Sequence, residues 1–215
     1  MSQRIVVGIS GASGALYARR TIRLLLAAQV QVHLVVSPLG QRVLHEELGM
    51  EGIDLAALAG REDGPAGGQA PGLTLHNYRD VGAAIASGSF RHDGMVIVPC
   101  SSNTLSAVAV GSAQNLLHRA AHVCLKERRR LVLVHRETPL ALTDIRNMEL
   151  ATQAGAVICP ACPGFYMLPR TVDDLVDFVV ARVLDLLGVA HSLNVRWGEP
   201  GPTADHTDTT DKSGT

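Results

Sequence analysis

The stretch Gly8-Ile9-Ser10-Gly11-Ala12-Ser13-Gly14-Ala15 closes an apolar run, Arg4 to Ile9, that reads as a β-strand. It opens a helical pattern from Ala15 to Ala28, with apolar residues at 16, 18, 22, 25 and 26. A glycine-rich turn between a strand and a helix is where an α/β protein receives a phosphate, because backbone N–H groups are exposed there and the helix offers its positive end. The glycines fall at 8, 11 and 14, giving G-x-x-G-x-x-G and not the G-x-G-x-x-G dinucleotide fingerprint. With the Ser10 and Ser13 hydroxyls inside it, the turn suits a mononucleotide phosphate, and Ser13 is placed to take part in chemistry. A tight turn with no ligand is the plainer alternative.

The same alternation continues along the chain. Val32–Ser37 reads as a strand and Leu39 to Leu48 as a helix. Residues 60–72 are rich in Gly and Pro and read as an exposed loop. Met95–Pro99 is a strand, followed by Ser101-Ser102-Asn103-Thr104 and an Ala-rich helical run. Asn115–Glu127 reads as a helix and Leu131–His135 as a strand. Thr143 is expected to cap a helix from Asp144 to Ala154, and Ala156–Cys159 to be the last strand. Thr171-Val172-Asp173-Asp174 has the form of a capping box that starts a helix running to Leu187. Such alternation implies one three-layer, Rossmann-like α/β domain with a mainly parallel sheet. It is expected to span 1–198, with 199–215, made of Gly, Pro, Thr, Asp and Ser, as a disordered tail.

Composition agrees with that class. Apolar residues make up 47% of the 215 and aromatics only 3%, so the core must be aliphatic, as suits a parallel sheet covered on both faces. A net charge of −1 supplies no basic face for nucleic acid, and Arg128-Arg129-Arg130 reads as a solvated helix end. No apolar stretch nears the ~20 residues that span a bilayer, and no signal-peptide core follows Arg4, so a soluble cytoplasmic protein is expected. Of the cysteines at 100, 124, 159 and 162, the last two form Cys159-Pro-Ala-Cys162. Pro163-Gly164 follows at once, where a redox pair would open a helix, and no second pair completes a zinc site.

In doubly wound sheets ligands bind beyond the C-terminal strand ends. The polar residues there are Ser10 and Ser13, Ser37, Ser101 to Thr104, and Arg136-Glu137, a set that makes a pocket for a phosphate and a ring. Capping of the next helices is the plainer role. It suffices for Thr143 and Thr171, whereas capping and ligand binding are expected to coexist at Ser101 and Thr104.

Several segments together resemble one family, the flavin prenyltransferases (UbiX-like proteins). They are the Gly8–Ala15 turn; Ala86-Ser87-Gly88-Ser89-Phe90; Pro99-Cys100-Ser101-Ser102-Asn103-Thr104-Leu105; Asn115 to Ala121; Leu125-Lys126-Glu127-Arg128-Arg129; Arg136-Glu137-Thr138-Pro139; Asn147-Met148; and Gly155 to Ile158, then Pro160-Ala161 and Pro163-Gly164-Phe165-Tyr166. They stand in the family's order, and the resemblance covers roughly residues 4 to 198. It implies a flavoprotein fold and a metal-independent transferase. The enzyme joins the dimethylallyl group of dimethylallyl monophosphate to N5 and C6 of reduced FMN, and UbiD-like decarboxylases use the product. A homo-oligomer, commonly a dodecamer, with donor sites shared between subunits, is also implied.

Residue by residue, the resemblance places FMN against Gly11, Ala12, Ser13, Ser37, Ser101, Ser102, Asn103, Thr104 and Arg136. The donor phosphate falls to Arg119, Lys126, Arg136, Tyr166 and Arg182. Glu137 matches the carboxylate beside the leaving phosphate, and a dianion next to it favours its protonated form, which suits a proton carrier. Glu47 matches a second carboxylate that acts with Ser13 in ring closure, though a one-residue slip would exchange it with Glu46. Trp197, the only tryptophan, suits stabilisation of an allylic cation or simple docking of the C-terminus.

Two departures stand out. His135 occupies a position where proline often precedes the Arg-Glu pair, and Asn103 is similar to the P-A-S-A-N-T stretch of flavin-dependent cysteine decarboxylases. A cysteine decarboxylase, with His76 as its histidine, and a non-catalytic flavin carrier or decarboxylase accessory subunit are therefore the alternatives. The presence of Glu47, Lys126, Glu137, Tyr166 and Arg182 speaks against the carrier.

Overall fold

The computed structural model describes residues 2–61 and 69–193. Six strands, β1 (Arg4–Ile9), β2 (Gln31–Val36), β3 (Leu73–His76), β4 (Gly94–Cys100), β5 (Arg130–His135) and β6 (Val157–Ile158), form one sheet in the order β3-β2-β1-β4-β5-β6. Every pairing is parallel. The helices are α1 (Ala15–Ala27), α2 (Pro38–Leu48), α3 (Leu55–Leu58), α4 (Ser102–Ala109), α5 (Leu116–Lys126), α6 (Leu142–Gln153) and α7 (Val172–Leu187). A 3-10 turn, Ala84–Ala86, precedes β4.

Alternate strand residues face opposite layers. Val96, Val98, Val132 and Val134 pack with α1 and α7, through Ala18, Ile22, Val176, Val180 and Val183. Met95, Ile97, Leu131 and Leu133 pack instead with α4 and α5, through Leu105, Leu117, Ala120 and Cys124. Among the described residues the buried core is built from aliphatic side chains, Met and Cys, with no aromatic ring in it. The strand order reverses on the two sides of β1, so the crevice between the ends of β1 and β4 is the place where such a sheet receives a ligand.

The expected strands and helices are present with shifted ends, and three details differ. β3 and the single-turn α3 lie where sequence showed only the neighbourhood of a Gly/Pro-rich loop. β3 is four residues long and half exposed, a short edge strand with little apolar signal. The last strand is only Val157–Ile158. Thr143 does not cap α6: the helix starts at Leu142, and the Asp144 carboxylate accepts the Ala141 N–H at 2.9 Å. The Thr171–Asp174 capping box is present as read, and Gly188 closes α7 in the left-handed conformation. The tail 199–215, Trp197 and loop residues 62–68 lie outside the described residues.

Candidate active site

Polar contacts tie β1 to β4 at the reversal point. Ser10, 1% exposed, donates its hydroxyl to the Pro99 carbonyl at 3.0 Å and accepts the Ser101 N–H at 2.9 Å. The turn that follows is pressed against α2. A Cβ at Gly11 would fall 2.4 Å from Leu39 Cβ, so only glycine fits there. Leu39 itself stays 60% exposed and offers an apolar shelf at the crevice mouth, a feature sequence reading did not single out.

Gly14, with φ 131°, opens α1 without a capping side chain of its own. The cap comes from Glu47, in the last turn of α2. Its carboxylate accepts the Gly14 N–H at 3.0 and 3.1 Å and the Ala15 N–H at 2.7 Å. A carboxylate is disfavoured at the C-terminal end of its own helix and favoured at the N-terminal end of another, so α1 accounts for its placement. Glu46 turns the other way and pairs with Arg42 on the surface at 2.7 Å. Glu47 therefore belongs to the crevice and Glu46 does not. Glu47 also fills the helix-opening amides that the sequence had offered to a phosphate. Ser13 remains exposed beside it.

Two other helix starts face the same edge. The Ser37 hydroxyl oxygen accepts the Gly40 N–H at 2.9 Å, which leaves its proton for a ligand. The Ser101 oxygen accepts the Thr104 N–H at 3.3 Å, and its hydroxyl donates to Thr104 Oγ1 at 3.2 Å, leaving the Thr104 proton to be donated onward. Capping and donor capacity thus coexist, as a dianionic phosphate needs. These residues, with the glycine turn and the Leu39 shelf, fit an FMN.

Beyond β5, Arg136 and Glu137 are exposed on the same edge. The Arg136 N–H reaches the Cys100 carbonyl at the end of β4. Glu137 accepts the Thr138 N–H at 3.1 Å and the Ser102 hydroxyl at 3.4 Å. Tyr17 of α1 lies close to Arg136 and Cys162, and burial raises its pKa. Burial likewise raises the Cys159 thiol, against the opposing charge of nearby Arg182. Tyr166 meets Phe178 edge-on at 5.6 Å between centroids, one turn before Arg182 on α7. The chain therefore brings Ser13, Glu47, Arg136 and Glu137 to one end of the sheet, while Tyr166 and Arg182 lie along α7, whose last carbonyl, Leu187, meets Arg130 at the opposite end.

It does not bring Lys126 to the end that holds Glu137. Lys126 ends α5 just before β5 begins, so it lies at the amino pole of the sheet. Glu137 lies beyond the far end of β5, a strand that spans roughly 20 Å. Lys126 pairs with Glu127 at 3.1 Å, and its Nζ lies 3.2 Å from where a Cβ on Gly88 would be. Arg129 fixes that loop by donating to the carbonyls of Phe90 at 2.8 Å and Gly88 at 2.7 Å. Arg119 lies two helical turns before Lys126 on the same face of α5, in the layer opposite α7. The expected donor residues thus form two groups. A cavity of about 980 Å³ also opens at the amino pole, lined in part by Arg4, His33, Phe90, His92 and Arg129. His76 stands on β3, outboard of β2, with Nε2 3.0 Å from His33 Nδ1, and so does not face the β1–β4 crevice.

A family model described as Flavoprotein matches residues 1–184. Flavin prenyltransferase UbiX of Alkalihalophilus pseudofirmus is 47% identical over 203 residues, covering 93% of this chain and 100% of the relative. The Deinococcus radiodurans protein of the same name is 47% identical over 196 residues, covering 91% and 94%. Among solved structures, AnUbiX in complex with FMN and dimethylallyl pyrophosphate superimposes with a TM-score of 0.83 at 40% identity, covering 94% of this chain and 100% of that one. A dodecameric FMN-dependent Ubix-like decarboxylase from Escherichia coli O157:H7 gives 0.81 at 40% identity, covering 92% and 100%. The peptidyl-cysteine decarboxylase EpiD gives 0.55 at 15% identity, covering 87% and 99%, a likeness of fold alone. With its glycine turn, its hydroxyl-capped helix starts and its Arg-Glu pair on one sheet edge, the chain belongs to the flavoprotein family and, within it, to the UbiX flavin prenyltransferases.

Proposed function

We propose that the enzyme joins the dimethylallyl group of dimethylallyl monophosphate to N5 and C6 of reduced FMN, and that a UbiD-like decarboxylase takes up the product. The observation that carries this reading is the convergence of Ser13 and Glu47 from one side of the crevice with Arg136 and Glu137 from the other. Reduced FMN supplies the electron-rich ring atoms that accept the prenyl carbon. Because Glu47 holds the amides that open α1, the FMN phosphate is assigned to Ser37 and the Ser101–Thr104 helix start. Gly11, Ala12 and Ser13, with the Leu39 shelf, would hold the ring.

Arg136, Tyr166 and Arg182 hold the leaving phosphate of the donor. Their positive charge and hydrogen bonds stabilise the dianion as it departs. Glu137 gives that phosphate a proton, and Ser13 with Glu47 removes one at ring closure. Arg119 and Lys126 of a neighbouring copy complete the phosphate site, since no path within one chain carries Lys126 to the crevice. This needs a homo-oligomer, and the dodecameric E. coli relative supports a dodecamer. Trp197 is assigned to covering the donor. Four free thiols fit a reducing compartment, and we place the enzyme in the cytoplasm. Among the described residues, no helix is long and apolar enough to cross a membrane.

The test is the mass of the flavin after anaerobic incubation with reduced FMN and dimethylallyl monophosphate. A flavin heavier by one C5 unit is expected. Unchanged FMN from folded, flavin-loaded protein overturns the reading. Dimethylallyl pyrophosphate in a parallel incubation fixes the donor.

A further inference from the structure

His135, the last residue of β5, is only 2% exposed, yet it carries a polar ring into the layer beneath the Arg136-Glu137 pair. Its Nε2 lies 3.2 Å from the Ser102 hydroxyl. That hydroxyl also meets Glu137 Oε2 at 3.4 Å and hydrogen-bonds the side chain of Asp144, itself 7% exposed. One hydroxyl thus stands among an imidazole and two carboxylates drawn from α4, β5 and the first turn of α6.

Proton counting limits what this cluster can do. Ser102 has one proton to give and two lone pairs to fill. Burial lowers the His135 pKa, against the opposing pull of Asp144 and Glu137, so the ring is neutral at pH 7 and has one N–H. With that N–H on Nε2, the ring donates to Ser102 Oγ and obliges the hydroxyl to point away from it, toward a carboxylate. Asp144 already accepts the Ala141 N–H at 2.9 Å, and Ser102 together with that amide holds its pKa low, so it stays ionised. On the reading given above, Glu137 is the carboxylate that carries the proton.

We propose that His135 is a positioning residue for the proton-carrying carboxylate: through Ser102 it holds Glu137 in the orientation from which it serves the leaving phosphate. The proposal rests on the reading of Glu137 given above. With Glu137 ionised, the Ser102 proton faces two carboxylates and is drawn toward Glu137 Oε2 as well as Asp144. With Glu137 protonated, the Ser102 proton turns to Asp144, and the Glu137 O–H is free to pass to a phosphate oxygen. One O–H bond breaks on Glu137 and one forms on phosphate, while His135 keeps its proton throughout and supplies the fixed donor about which Ser102 rotates.

The test compares full-length wild type with His135→Ala, His135→Gln and Ser102→Ala at saturating FMN. It follows kcat and KM for dimethylallyl monophosphate through the C5-flavin product, together with FMN affinity and thermal melting. His135→Ala is expected to lower kcat about tenfold, with KM and FMN affinity within twofold of wild type, because a misoriented proton carrier slows chemistry and not binding. His135→Gln, whose amide N–H still reaches toward Ser102, restores most of kcat. Equal losses in the Ala and Gln variants, or a loss confined to KM, overturn the proposal. If His135→Ala does not fold, Ser102→Ala decides: full kcat overturns the proposal, and a drop of the same size at intact melting temperature sustains it. A wild-type protein that makes no C5-flavin overturns the reaction reading, and this proposal with it.

Discussion

The two poles of the sheet carry different halves of one expected site. At the carboxyl edge, Ser13, Glu47 and the Arg136-Glu137 pair come from three different segments and meet because parallel strands deliver all their ends to one side. At the amino pole, Lys126 and the Ser87–Phe90 loop are held together by Arg129, on the far side of the sheet from those residues. A parallel strand cannot fold back on itself, so on the proposed reading the two halves meet between copies. A contact of one copy's edge with another's pole is either reciprocal across a two-fold axis or heterologous, and heterologous contacts close into rings or run on as filaments. On the proposed reading, assembly is part of the chemistry and not packaging around it.

The severest break of this comparison is on the edge itself. Glu137→Gln is expected to bind FMN normally and lose turnover by ~10²-fold or more, the scale of a proton-transfer role. Turnover of reduced FMN under anaerobic conditions measures it. Lys126→Ala should be comparably slow, and the two defects should complement. In oligomers assembled from both variants, about a quarter of the sites pair an intact edge with an intact pole, so about a quarter of the activity should return. No recovery on co-assembly would put both halves in one chain.

Acid should weaken the pole next. Burial, and then the nearby charge of His76, holds the His33 pKa down at about 4. The unfolded chain, with an ordinary histidine near 6.5, binds the proton first. Stability is therefore full above pH 6.5 and falls as pH drops toward 4. Urea unfolding at pH 7 and pH 5 measures the loss, and His33→Gln should lessen it, the remainder coming from His76, His92, His118 and His135, whose pKa values burial also lowers. The smallest effect separates two neighbours. Glu47→Ala removes the cap of α1 at a cost of about 1 kcal/mol and slows the reaction, whereas Glu46→Ala changes melting within roughly 0.5 kcal/mol and leaves turnover alone.

How much of this could be read beforehand varied with the physics. Strong apolar runs such as Arg4–Ile9 and Leu131–His135 announced themselves, and Thr171 capped its helix as its capping-box pattern required. β3 did not, since a short edge strand buries too little to leave an apolar run. Glu47 was separable from Glu46 only through α1, a partner more than thirty residues away, although an acid in the last turn of a helix was a clue against its own dipole. His135 looked like a tolerable oddity until Ser102 and Asp144 were seen around it, because hydrogen-bond networks between segments leave no periodicity.

The absence of buried Phe, Tyr and Trp among the described residues has a practical consequence for the laboratory. The chain's single tryptophan is residue 197, and three tyrosines and three phenylalanines complete its aromatics. Tryptophan emission from this protein therefore reports on the surroundings of one position near the C-terminus. Circular dichroism must follow unfolding, and the visible spectrum of a bound flavin can be read almost free of competing protein absorbance.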